Sequence, residues 1–235
     1  MAGGLMLQVH DLHGWYGESH VLHGVNFDVR EGEVVTLLGR NGAGRTSTLR
    51  AIMGLIGSRK GSIKVHGNEV IAMAPHRIAR LGSGYCPEER GIFSSLTAEE
   101  NLMLPPVLAV GGMTVEQIYA MFPNLKERAN SPGTRLSGGE QQMLAVARIL
   151  RSGARLLLLD EISEGLAPVI VQKLAEAVLA LRKQGYTIVM VEQNFRFAAP
   201  LADRFFLIEH GRVLREFTQA QLPSQIDSLH EYLGV

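Results

Sequence analysis

Cysteine is nearly missing from this 235-residue chain: Cys86 stands alone. No disulfide can close within the chain, and a lone thiol fits a reducing compartment. No apolar run approaches the roughly 18 residues of a membrane span. The opening stretch MAGGLMLQVHD has no basic segment followed by a long apolar one, the mark of a secretory signal. Net charge is absent too, since Lys plus Arg and Asp plus Glu both count 23, which removes the electrostatic argument for a nucleic-acid partner. No internal repeat, low-complexity tract or linker interrupts the sequence. These absences leave the expectation of a cytosolic protein, long enough for one domain, or a domain with a subdomain, around a sizeable core.

The strongest pattern present is LSGGEQQMLAVARILRSGARLLLLDE, over residues 136–161. Ser137 stands where a helix begins. With the small Gly138 and Gly139 beside it, the first-turn N–H groups are left to bind an anion. Met143, Leu144, Ala147 and Leu150 recur at helical spacing and belong to a core. After the break at Ser152 and Gly153, residues 156–159 are an unbroken apolar run, the pattern of a strand buried on both faces in a parallel sheet. The run ends in Asp160 and Glu161, at the carboxyl end of a strand, where α/β folds bind ligands.

Residues 34–38 form a second such run. It opens into Gly39-Arg40-Asn41-Gly42-Ala43-Gly44-Arg45-Thr46-Ser47 and a helix expected to reach about Gly54. Strand, glycine loop and helix are the setting of a phosphate-binding loop. The glycines let backbone N–H groups wrap phosphate oxygens while the helix aims its positive end at the same charge. Thr46 is placed to offer its hydroxyl to Mg2+, and Ser47 to reach a phosphate nearer the sugar. Arg45 departs from the motif, which has Lys there. Charge is kept and geometry is not, because a planar fork replaces a compact ammonium. The expectation is nucleotide binding that is weakened but not abolished, with hydrolysis slowed by ~10²-fold or more if a transition-state donor is misplaced.

In this order and spacing, LSGGE, the amphipathic helix, LLLLDE and the upstream glycine loop resemble the signature motif, Walker B and P-loop of an ABC-type ATP-binding subunit. The resemblance covers essentially the whole chain. It implies an α/β fold: a P-loop NTPase core with a parallel sheet, an N-terminal antiparallel β layer and a helical signature subdomain at about 94–152, within one ATP-binding domain spanning 1–235. ATP and Mg2+ are the implied cofactors. Thr46, Glu88 and Asp160 would surround the metal, Glu161 would orient or deprotonate the attacking water, and Tyr16 would stack on the adenine. Read without the family, Trp15 and Tyr16 also suit the cover of a small sheet's edge. Gln193, after a buried strand at 187–191, stands where most family members place a His on the γ-phosphate. It reads as well as a polar strand terminus. Ser137, Gly138, Gly139 and Glu140 would serve ATP held by a sister subunit, which requires a head-to-tail dimer.

Pro87-Glu88, Phe93, Leu96-Thr97, Glu100-Asn101-Leu102 and Glu192-Gln193-Asn194 are similar to one branch, the smaller ATP-binding subunit of branched-chain amino-acid uptake systems. Glu at position 88 is usual in that branch. The branch implies hydrolysis coupled to import of branched-chain amino acids or related solutes, with two transmembrane permeases, a sister ATP-binding subunit and an extracytoplasmic solute-binding protein. The chain would sit on the cytoplasmic face of the membrane through the permeases. Glu89, Arg90, Phe93 and the exposed helical residues after them are candidates for a groove that receives a short permease helix. Ile162 and Glu164 depart from the family's Pro-Ser-Leu after Glu161. The uneven motifs leave an alternative, a hydrolysis-impaired regulatory subunit whose intact signature serves a sister ATPase.

The remaining elements follow from pattern. Strands are expected at 5–12 and 21–29, a hairpin at 62–71 around Gly67-Asn68, a helix at 75–81 and a strand ended by Pro87. Thr97 and Thr114 open helices as capping boxes. Ile170, Leu174, Ala177, Val178 and Leu181 mark a helix closed by Gly185, and His210-Gly211 a tight hairpin. Leu222, Ile226, Leu229 and Leu233 mark a final amphipathic helix. His10, His13, His20 and His23 have no Cys or carboxylate at ligand spacing and read as sheet or surface histidines.

Overall fold

A computed structural model describes residues 4–225 together with Leu229 and Tyr232. Two long strands, β1 (Leu5–Tyr16) and β2 (Ser19–Arg30), open the chain as an antiparallel pair. Both run past their expected ends. Register shifts between Val9 and Leu12, and again at His13 and Trp15, break the two-residue alternation on which sequence reading relies, while the pairing itself continues. β3 (Val34–Leu38) is buried at every position and runs into the glycine loop and α1 (Arg45–Ile52). β4 (Ser58–Val65) and the short β5 (Asn68–Glu69) complete an antiparallel sheet of order β2-β1-β4-β5.

Next come α2 (Pro75–Arg80) and β6 (Ser83–Cys86), then an arm of four helices: α3 (Ala98–Met103), α4 (Val115–Met121), α5 (Pro123–Glu127) and α6 (Gly138–Arg151). Thr97, Thr114 and Ser137 each open a capping box, accepting from the backbone of Glu100, Gln117 and Glu140, whose side chains reach back. α6 buries Met143, Leu144, Ala147 and Leu150 and delivers the chain to β7 (Leu156–Asp160). α7 (Pro168–Lys183), β8 (Thr187–Val191), α8 (Phe195–Ala198), β9 (Arg204–Glu209) and β10 (Arg212–Thr218) follow. In α7, Leu174, Ala177, Val178 and Leu181 are the buried stripe.

The central sheet has order β10-β9-β3-β8-β7-β6, parallel throughout except for β10. It separates two cores, which explains why its central strands are apolar at nearly every position. Leu157 and Leu159 of β7 enter the core shared with the helical arm, whereas Leu156 and Leu158 enter the one shared with the antiparallel sheet. Each such leucine contributes about 1.5–3 kcal/mol by leaving water. Cys86 is part of this packing. Burial pushes its thiol up to about 12, so it is not a reactive nucleophile.

Arg204 fastens the two sheets together. Its guanidinium donates to Glu216 on β10 at 2.7 Å, to Glu33 before β3 at 3.2 Å and to Asp28 on β2 at 3.3 Å. Of the expected C-terminal helix, Leu222 lies instead in a 3-10 stretch, Gln219–Ser224, and Leu229 is buried. Ile226 and Leu233 lie outside the described residues. Among the described residues, no helix is long and apolar enough to cross a membrane.

Candidate active site

Because β8 lies between β3 and β7, the glycine loop, the acids at the end of β7 and Glu192 after β8 emerge on one edge of the sheet. Two glycines make the loop feasible. A Cβ on Gly39 would fall 2.3 Å from the Ile208 carbonyl oxygen, and Gly44 caps α1 with φ of 104°, in the left-handed region. The result is a cleft of about 700 Å³ lined by Asn41 to Ser47 on one wall and by Glu88, Glu161 and Glu164 on the other. Gly39 and Arg40 lie beside this lining rather than in it, and Arg40 Nε donates to the Tyr232 carbonyl at 2.9 Å.

Arg45 is almost entirely buried. Its Nη2 donates to Glu161 Oε1 at 2.8 Å and to Asn41 Oδ1 at 3.1 Å, with side-chain exposures of 3% for Arg45 and 9% for Glu161. Nη1 is buried and has no hydrogen-bond partner. A buried guanidinium N–H left without an acceptor is costly, and an anion in the cleft would satisfy it.

Thr46 Oγ1 donates to Asp160 Oδ1 at 2.8 Å, and the Tyr85 hydroxyl donates to Asp160 Oδ2 at the same distance. Burial raises the Asp160 carboxyl above its ordinary range, opposed by these two donors. Hydroxyl and carboxylate oxygens side by side suit a hard divalent cation. Glu88, Glu161 and Glu164 bring carboxylate oxygens within 4.8 Å of one another. Burial, then a hydrogen bond shared with Glu164, raises Glu161 despite Arg45, and burial, Glu164 and Asp160 raise Glu88. Glu161 itself adopts φ of 46°, a strained backbone at the end of its strand.

Gln193 is exposed and lines a neighbouring cavity of about 780 Å³ that shares Glu161 and Glu164 with the cleft. It is not in the cleft itself. Next to it, Glu192 is 1% exposed and accepts from both the N–H and the hydroxyl of Ser163, and burial pushes it up to about 7. Ser137, Gly138, Gly139 and Glu140 line neither space. Ser137 and Glu140 cap their own helix, with Ser137 exposed.

Tyr16 is 39% exposed at the end of β1 and is not part of the cleft lining, which on that side is His20, Val21 and His23. Those histidines form a stack: Trp15 and His20 lie 4.3 Å apart at 9°, and His13 Nδ1 and His20 Nε2 are 3.1 Å apart. Asp11 also joins His13 at 3.2 Å, a carboxylate contact that a β-bulge creates and spacing conceals.

Sequence reading missed Tyr85 and Arg50. Tyr85 sits one residue before Cys86 on β6, and only the β6–β7 register, pairing Tyr85 with Leu158, shows that it reaches Asp160. Arg50 lines the cleft and ion-pairs with Glu89 at 2.8 Å. Its position one turn beyond Thr46 on the same helix was the available signal.

A parallel sheet with a glycine loop at its carboxyl edge, a cation inside that loop and acids on the next strands but one defines a P-loop nucleoside-triphosphatase. A family model described as ABC transporter matches residues 22–164. Over 238 aligned residues the chain is 40% identical to the high-affinity branched-chain amino acid transport ATP-binding protein BraG of Pseudomonas aeruginosa, covering 97% of this chain and 100% of that one. It is 31% identical to the lipopolysaccharide export system ATP-binding protein LptB of Haemophilus influenzae, with 93% of each chain covered. Among solved structures, a nucleotide-free ATP-binding cassette from an ABC transporter superposes with a TM-score of 0.84 at 18% identity, covering 99% of each chain. The chain belongs to the ABC transporter family and is one of its ATP-binding, ATP-hydrolysing subunits.

Proposed function

We propose that this subunit drives import of branched-chain amino acids or related small solutes. The observation that carries the reading is the 40% identity to BraG along the whole of both chains. The uptake-branch pattern at Glu88, Glu100-Asn101-Leu102 and Glu192-Gln193-Asn194 agrees with it. Its partners are a sister ATP-binding subunit, two transmembrane permeases and an extracytoplasmic solute-binding protein, and the permeases hold it at the cytoplasmic face of the membrane. Residues 1–235 act as one ATP-binding domain whose helical arm, at about 94–152, presents the signature.

The residues present fit ATP and Mg2+. Gly39 to Ser47 supply backbone N–H groups to the phosphates, with Arg40, Asn41, Gly42, Ala43 and Gly44 shaping the loop and the free Arg45 Nη1 as an added donor. Thr46, Asp160 and Glu88 hold Mg2+, which when bound offsets phosphate charge. Glu161 takes the proton of the attacking water, Gln193 donates to the γ-phosphate from the neighbouring cavity, and Tyr16 covers the adenine. Ser137, Gly138, Gly139 and Glu140 close over nucleotide bound by the sister subunit. Their separation from this chain's own cleft supports that division.

For the permease contact, a groove of about 390 Å³ offers Leu55, Phe93, Leu104 and Pro105. Glu89 and Arg90 instead turn to Arg50 and Gln142, which leaves Phe93 as the usable member of the expected trio.

The test is uptake of radiolabelled leucine, isoleucine and valine in cells whose copy carries Glu161→Gln. Loss of uptake with normal amounts of the assembled transporter supports the reading. Unchanged uptake of all three overturns it.

A further inference from the structure

Two loops flank the reaction centre. Residues 161–167 join β7 to α7, with 162–167 beyond the reaction-centre Glu161, and Glu192, Gln193 and Asn194 join β8 to α8. The first carries the exposed Glu164 and Gly165, and the second carries the exposed Gln193. Both line the cavity beside the cleft. One pair of residues ties them. Ser163 N–H donates to one Glu192 carboxylate oxygen at 3.1 Å, and the Ser163 hydroxyl donates to the other at 2.8 Å. Ser163 is 4% exposed and Glu192 1%, so water does not compete for these bonds.

A carboxylate accepts from both donors of one serine at once, one on each oxygen, and a carboxamide could still hold the serine by donating to its hydroxyl, so only loss of the whole head group opens the clasp from this side. A buried carboxylate is also an expensive way to hold a loop that has no ligand to respond to. We propose that Glu192 is a positioning residue that makes the Gln193 segment and loop 162–167 move as one piece, so that nucleotide engaged at Gln193 displaces Glu164 and Gly165. The inference rests on Gln193 meeting bound nucleotide. It adds how that contact is passed on.

The test is backbone hydrogen exchange of the full-length chain, with and without Mg2+ and a non-hydrolysable ATP analogue. In the unmodified protein, both the 192–195 and the 162–167 segments should exchange more slowly with the analogue. In Glu192→Ala and in Ser163→Ala, only 192–195 should respond. Ser163→Thr, which keeps the hydroxyl, should behave as the unmodified protein, and the serine variants carry the test if Glu192→Ala fails to fold. In the assembled transporter, kcat for ATP should fall about ten-fold in Glu192→Ala with KM within about two-fold, and the double variant should be no worse than either single one. A 162–167 response that survives in Glu192→Ala or Ser163→Ala, or additive losses in the double variant, would overturn the coupling. A 192–195 segment that ignores the analogue in the unmodified protein would overturn Gln193's contact with nucleotide, and the coupling with it.

Discussion

Changing Arg45 to Lys should speed this ATPase rather than slow it. In the free subunit, Arg45 Nη2 holds Glu161 at 2.8 Å, both side chains nearly buried, while Nη1 remains free. The fork can therefore keep its grip on Glu161 and still offer a donor to phosphate, which ties up the carboxylate that should receive the water's proton. A hydrogen bond to a charged group contributes about 1.5–3 kcal/mol. At roughly 1.4 kcal/mol per decade, that biases the site against a free Glu161 by about 10- to 100-fold. A Lys ammonium is a single point of charge and cannot serve both anions from opposite edges, so with ATP present it goes to the phosphates. Steady-state hydrolysis by the assembled transporter should show kcat raised about 10-fold or more, with KM changed less than about three-fold. An unchanged or lower kcat would refute the idea that Arg45 restrains Glu161.

Glu192 gives a pH-dependent expectation. Burial raises it from an ordinary value of 4.5 to about 7. The folded state then binds the proton more tightly than the unfolded one, so no penalty exists below about pH 4.5, and one of up to roughly 3 kcal/mol builds as pH rises through 7. The melting temperature of Glu192→Gln relative to the unmodified protein should therefore be higher at pH 8 than at pH 5, and a difference that does not vary with pH would contradict the burial argument. Thr97→Ala removes the acceptor of the Glu100 N–H at the start of α3 and should cost about 1 kcal/mol in urea melts; no measurable loss would mean the cap is dispensable. Phe93→Asp, at a residue 52% exposed in the apolar groove, should reduce co-purification with membrane partners at least about ten-fold while ATP affinity stays the same. Normal co-purification would remove Phe93 from that contact.

The sequence was most legible where one physical demand acts alone. Residues 34–38, 156–159 and 187–191 are apolar at nearly every position because two cores press on one sheet, and each is a central strand. Capping at Thr97, Thr114 and Ser137 is a local reaction between a hydroxyl and a nearby N–H, and it too could be read directly. Contacts between distant residues could not. Arg45 was visible as a departure, but its partner lies 116 positions away and only the fold joins them. Tyr85 on Asp160 depends on strand register, and bulges hid the true length of β1. Gln193 and Glu161 do line one cavity, but only Glu161 also lines the cleft of the glycine loop, and no sequence spacing shows that the two spaces meet at that residue.

The Arg204 knot has a mechanical consequence. One guanidinium grips the second strand of the antiparallel sheet, the approach to β3 and the last strand of the central sheet, so none of them can pivot without breaking charged contacts on the others. Sliding the antiparallel sheet across the central one therefore means parting charged pairs at that joint.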